Sequence, residues 1–185
     1  VSRRAMTPAE VLEEFSEVNS ERLKMLNGQL DFAAEADSPI GKGNVADQVS
    51  VRVFDCWVHE QDIRRAIGKQ GNLLGLAAQH SYERMTSVMP FVVEKKAGAP
   101  ERSSVRFKIC GESFFVVNIR VDEGRARLVK ELSEPTIELE MDCEVFMCLC
   151  CGRWDPDKIL SDHKVLIQGD RHLGISIVKN MNYMV

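Results

Sequence analysis

Apolar residues in the first half of the chain recur every three or four positions; in much of the second half they recur every two. After Thr7-Pro8-Ala9-Glu10, residues Leu12, Phe15, Leu23, Leu26 and Leu30 fall at helical intervals, with Val11 and Val18 widening the stripe. The start is well marked, because Thr7 can cap, Pro8 suits the first helical position and Glu10 completes a capping box. Residues 37–44 read as a loop. A second helix is expected from Ala46 to Ile67, stopping near Gly68 and Gly71. A third is expected from Leu74 to Val93, with Pro90 kinking it or ending it early.

Past the polar connector 95–102 the rhythm changes. Val105, Phe107 and Ile109 alternate with Arg106 and Lys108, which predicts a strand; further strands are expected over 113–121, 125–130 and 136–140. Asp142 can cap a short helix that runs through Cys151 to Gly152. Val165-Leu166-Ile167 reads as a last strand, and Gly169-Asp170 opens a closing helix with Leu173, Ile177 and Met181 four apart. The fold class expected is α+β, in two domains: a helical one over 1–96 and a small α+β one over 102–185.

Composition narrows the function classes. With 28 acidic against 24 basic residues and a formal charge of −4, broad nucleic-acid binding is not expected. No run approaches the roughly 18 apolar residues of a membrane span. No basic and apolar leader opens the chain, so a cytoplasmic location is expected. Four of the six cysteines crowd into residues 143–151 without zinc-ligand spacing, and they read as reduced, buried small hydrophobes.

The segment Asp55-Cys56-Trp57-Val58-His59-Glu60-Gln61-Asp62 carries the most chemistry. Asp55, His59 and Asp62 lie within roughly 60° of one another on a helix. Val51, Val58, Ile63 and Ala66 flank that sector, while Val53, Phe54 and Trp57 load the opposite side, so the helix is expected to be buried over most of its surface. Buried carboxylates and an imidazole must be satisfied. One solution is a metal ion, for which a carboxylate and a histidine at i, i+4 on a bundle helix are suitable ligands. The other is a polar network in which Asp55 and Asp62 brace Arg52, Arg64 or Arg65. Elsewhere, Arg153 in the turn 152–156 can reach a ligand or a carbonyl. Arg171 stands at a helix N-terminus that can receive an anion or can simply be capped and solvated.

The run Arg52–Gly68 resembles the mycothiol-dependent maleylpyruvate isomerase family, in which a DinB-like helical bundle precedes a domain similar to sterol carrier proteins. Leu139-Glu140-Met141-Asp142, Cys151-Gly152-Arg153 and Gly169-Asp170 with Leu173-Gly174 are similar to recurring positions of that second domain. The resemblance implies a divalent metal, zinc, held by Asp55 and His59, for which Asp62, His80 or a partner subunit would have to supply a third ligand. It implies mycothiol as thiol cosubstrate, an electrophilic small molecule as substrate, and isomerase or thiol-transferase chemistry; Arg153 and Arg171, singled out by their own positions, are the candidates for acting on that substrate. The first 58 residues contain no histidine, where the family carries an early ligand. The expectation is therefore a shortened member with a partial bundle, covered by a second copy or another protein. The alternative is a non-catalytic binding or interaction protein with an apolar ligand groove.

Overall fold

A computed structural model of the chain describes residues 3–28, 30–38 and 41–184, and the chain divides into two compact units, Val1–Val51 and Arg52–Val185. In the first unit, the Glu10 amide donates to the Thr7 hydroxyl while the Glu10 carboxylate accepts from the Thr7 amide at 2.7 Å, closing the expected capping box. Helix α1 spans Pro8–Leu26 and buries none of its residues. Strands β1 (Glu35–Ser38) and β2 (Gly41–Asn44) form an antiparallel hairpin where a loop was expected. The pairing joins backbones whose side chains show no apolar alternation, so the usual strand signal is missing. Helix α2 then spans Val45–Ala66.

The second unit is built on a five-stranded sheet. Its strands are β3 (Ser104–Cys110), β4 (Phe115–Asp122), β5 (Arg125–Val129), β6 (Ile137–Asp142) and β7 (Val165–Gly169), in the order β5-β4-β3-β6-β7. The β3–β6 pairing is parallel and the others are antiparallel. Period-two alternation sends Val105, Phe107 and Ile109 to one face, level with Ile137, Leu139 and Met141. That face lies in a core that also contains α3 (Leu76–Phe91), α4 (Cys143–Cys150) and α6 (Arg171–Lys179). The opposite face is held by cross-strand ion pairs, Arg106–Glu138 at 3.1 Å and Lys108–Glu140 at 2.8 Å.

Asp142 and Asp170 cap α4 and α6 as expected. The segment read as a turn at 152–156 continues into another helix, α5 (Pro156–Ser161), whose Asp155 side chain accepts from the Asp157 amide. Asp155-Pro156 is a cap followed by proline at the first helical position, as at Thr7-Pro8. Pro90 neither ends nor shortens α3; the helix passes through it into a wide π turn, Val92–Lys96.

The DinB-like bundle is not what the helices form. In α2 the buried stripe is Phe54, Trp57, Val58 and Gln61, and in α3 it includes Tyr82, Met85 and Met89. The apolar members of both stripes belong to one core with the sheet. The connector 95–102 lies inside the second unit. Among the described residues, no helix is long and apolar enough to cross a membrane.

Gly169 supplies a direct test of this architecture. Its φ is +87°, and a Cβ there would run into the Thr136 carbonyl beside the β6–β7 pairing. Gly169→Ala is expected to lower unfolding free energy by roughly 2 kcal/mol or more in urea titrations. A loss near zero would contradict the strand register.

Candidate functional site

The residues that sequence singled out on α2 form a chain of ion pairs along a partly exposed edge of the helix. Arg52 Nη1 donates to Asp55 at 2.8 Å, His59 lies 3.4 Å from Asp55 and 3.2 Å from Asp62, and Arg64 Nε donates to Glu60 at 2.7 Å. Arg65 also donates to Asp62. The His59 side chain is 62% exposed and that of Asp55 40%, so this sector is not buried as expected. The single stripe 54/57/58/61 faces the core, and Ile63 and Ala66, expected to enclose the sector, are exposed. The polar-network reading is the one realised, with Asp55 on Arg52 and Asp62 on Arg65.

Asp62 gains a further partner from far along the chain. Arg153 donates Nε and Nη2 to the two carboxylate oxygens at 3.2 and 2.9 Å, and its Nη1 to the Cys151 carbonyl at 2.6 Å. Gly152, with φ +64° and Asn182 packed where a Cβ would stand, shapes the turn that delivers this guanidinium. Burial by itself would raise the Asp62 carboxyl. The Arg153 hydrogen bond and charge, the Arg65 charge and the His59 hydrogen bond outweigh it and hold the group below the usual carboxylate range. Arg153 thus clamps α2 to the end of α4. Arg171 stands apart from this cluster, exposed at the start of the capped helix α6.

The metal expectation is corrected. Among the described residues, no group of three or more His, Cys, Asp or Glu side chains could hold a metal ion. Asp55, His59 and Asp62 are engaged with arginines and one another. The thiols at the end of α4 and just past it are no substitute: burial pushes Cys148 up to about 12 and Cys151 to about 11, which disfavours the thiolate that a metal binds.

The sequence reading also missed a hollow elsewhere in the second unit. A cleft of about 530 Å³ opens between the start of α3, with the preceding segment 73–75, and residues 113–117 at the start of β4. Leu73, Tyr82, Phe115 and Val117 form its walls, and Leu74, Leu76 and Phe114 line it at 60%, 86% and 69% exposure. Gln79, Glu83 and Thr86 form a polar row along α3, at a spacing that places them on one helical face. Gly75 breaks the chain before α3 with φ +91°.

The segment 67–75 is fastened to α2. The Asn72 carbonyl accepts from the Trp57 indole at 3.0 Å and from Gln61, and its side-chain amide donates to Glu60 at 2.8 Å. Tyr82 packs between Trp57, edge-on, and Phe115, tilted, at 5.4 and 5.1 Å between ring centres. Burial, the adjacent Cys143 thiol and the charges of Asp142 and Glu112 push its phenol well above the ordinary value, so it stays protonated. The readable signal was Phe114-Phe115: adjacent aromatics on alternating strand positions cannot both face the core.

No family model matches the chain. No curated protein matches it either. Among solved structures, a sterol carrier protein 2 like 2 from Aedes aegypti is similar over 54% of this chain and 95% of that one, at 12% identity and a TM-score of 0.43. The sterol carrier protein domain 2 of Helicoverpa armigera is similar over 52% of this chain and 80% of that one, at 20% identity and 0.40. Sterol carrier protein 2 from Yarrowia lipolytica in its apo form follows at 53% and 91% coverage, 11% identity and 0.37. The resemblance to mycothiol-dependent isomerases is corrected together with its zinc, its thiol cosubstrate and its chemistry, because among the described residues the metal-ligand set on which they rest does not assemble.

The Asp62 clamp has a definite pH signature. A carboxyl lowered in the folded state contributes stability above its unfolded value of about 3.9, and that contribution is lost as pH falls through the lower folded value. Asp62→Asn is expected to cost about 1 kcal/mol at pH 7 and to flatten the stability curve below about pH 4. Identical acid limbs for the two proteins would contradict the clamp.

Proposed function

We propose that the second unit is a non-catalytic binding domain for a small apolar ligand, held in the cleft between α3 and the start of β4, and that residues 102–185 are a sterol-carrier-like α+β domain. The observation that carries the ligand reading is the cleft itself. Apolar walls with a few polar groups at one side match the usual build of small-molecule sites, and its volume lies within the customary range of some hundreds of Å³. Exposed Leu74, Leu76 and Phe114 would gain by burial against a ligand, at about 25 cal/mol for each Å² of apolar surface covered.

Nile red, an uncharged dye that brightens in apolar surroundings, tests this directly. The protein is expected to bind it, and decanol to displace it. Leu74→Asp with Phe114→Asp should weaken binding about tenfold or more without lowering Tm, since both side chains are exposed. Absence of binding, or binding unchanged in the double variant, would overturn the reading.

The same reading includes a protein partner over α1. Leu12, Phe15 and Leu23, which share one face of that helix, are 58–65% exposed, and apolar patches of this kind mark interaction surfaces. Light scattering at increasing concentration is expected to show self-association that Phe15→Glu abolishes; a monomer throughout, with no other protein bound, would contradict it.

A further inference from the structure

We propose that the ligand of the cleft is a single-chain amphiphile whose polar end is a protonated amine, received by Glu83. This deepens the apolar-ligand reading and rests on it. The cleft is two-sided: Leu73, Tyr82, Phe115 and Val117 make an apolar wall, and Gln79, Glu83 and Thr86 make a polar row along one face of α3. A ligand that fills it must therefore be apolar along its body and polar along one end or edge.

The row also states the sign of that end. Among the described residues, Glu83 is the one charged residue in the lining, which contains no Lys, Arg or His. The Gln79 side-chain nitrogen is already donated to Glu83 Oε1 at 2.9 Å, and the Thr86 hydroxyl is donated to the Glu83 carbonyl at 3.0 Å. What the row offers inward is therefore mainly acceptors, namely the Glu83 carboxylate and the Gln79 side-chain carbonyl. Glu112, next to the lining residue Ser113, adds negative charge of its own: it contributes to raising the Tyr82 phenol. An ammonium has three donors and no acceptor and meets this row; a carboxylate or phosphate has acceptors only and is repelled by it. A hydroxyl lies between the two.

Decylamine, decanol and decanoate share one chain length and differ in head charge at pH 7, so their displacement of Nile red below micelle-forming concentrations separates the possibilities. Decylamine is expected to displace the dye at about tenfold lower concentration than decanoate, with decanol between, since attraction or repulsion at an exposed carboxylate is worth up to about fivefold each. Glu83→Gln, a substitution at an exposed helix position, should bring the three within about threefold of one another. Decanoate equal to or better than decylamine on the unaltered protein, or a preference for the amine that survives Glu83→Gln, overturns the amine assignment while leaving an apolar-ligand cleft in place. If none of the three displaces the dye, the ligand reading falls and this assignment with it.

Discussion

The second unit depends on one pairing, the parallel ladder between β3 and β6 at the middle of its sheet. It sets Val105 beside Ile137, Phe107 beside Leu139 and Ile109 beside Met141, and all six are at most 2% exposed. Parallel neighbours cannot be joined by a tight turn, so the β4–β5 hairpin and the segment through Leu132 make the connection. Because side chains alternate, a one-residue slip would send the whole apolar row to the solvent side. It would also carry Arg106 and Lys108 into the core, away from Glu138 and Glu140. The apolar and the charged face therefore enforce the same register.

That register explains where a ligand site can form. Helices cover the apolar face of the sheet, and Phe146 of α4 packs edge-on against both Phe107 and Phe115. Towards the start of β4, cover depends on the first turns of α3. Gly75 and exposed Leu76 leave that helix start open, so apolar side chains meet solvent there in a concave place. Tyr82 packs between Trp57 and Phe115 at the cleft wall, and the Asn72 carbonyl accepts from the Trp57 indole in the segment leading into α3. The fold and the proposed ligand cleft thus share Tyr82 and Phe115.

Much of the architecture was legible in the sequence. Thr7-Pro8-Ala9-Glu10, the alternation at 105–109 and the caps at Asp142 and Asp170 name their elements from local chemistry, and each is found. What was not legible is tertiary. Asp55, His59 and Asp62 share a sector on any helical wheel, but only packing decides whether that sector is buried; here 54/57/58/61 wins the core and the carboxylates turn to arginines. Arg153 lies 91 residues from Asp62, and no periodicity links them. The cleft is assembled from segments 73–86 and 113–117, each of which reads alone as an ordinary amphipathic piece.

The central proposal is that this domain holds an apolar molecule between α3 and the start of β4. Amide chemical-shift mapping of the isotope-labelled protein during titration with decanol tests it most directly. The account predicts saturable shifts concentrated in 73–76, 79–86 and 113–117, with the amides around Asp55 and His59 unmoved. Shifts centred on Asp55 and His59, or none that saturate, would contradict it.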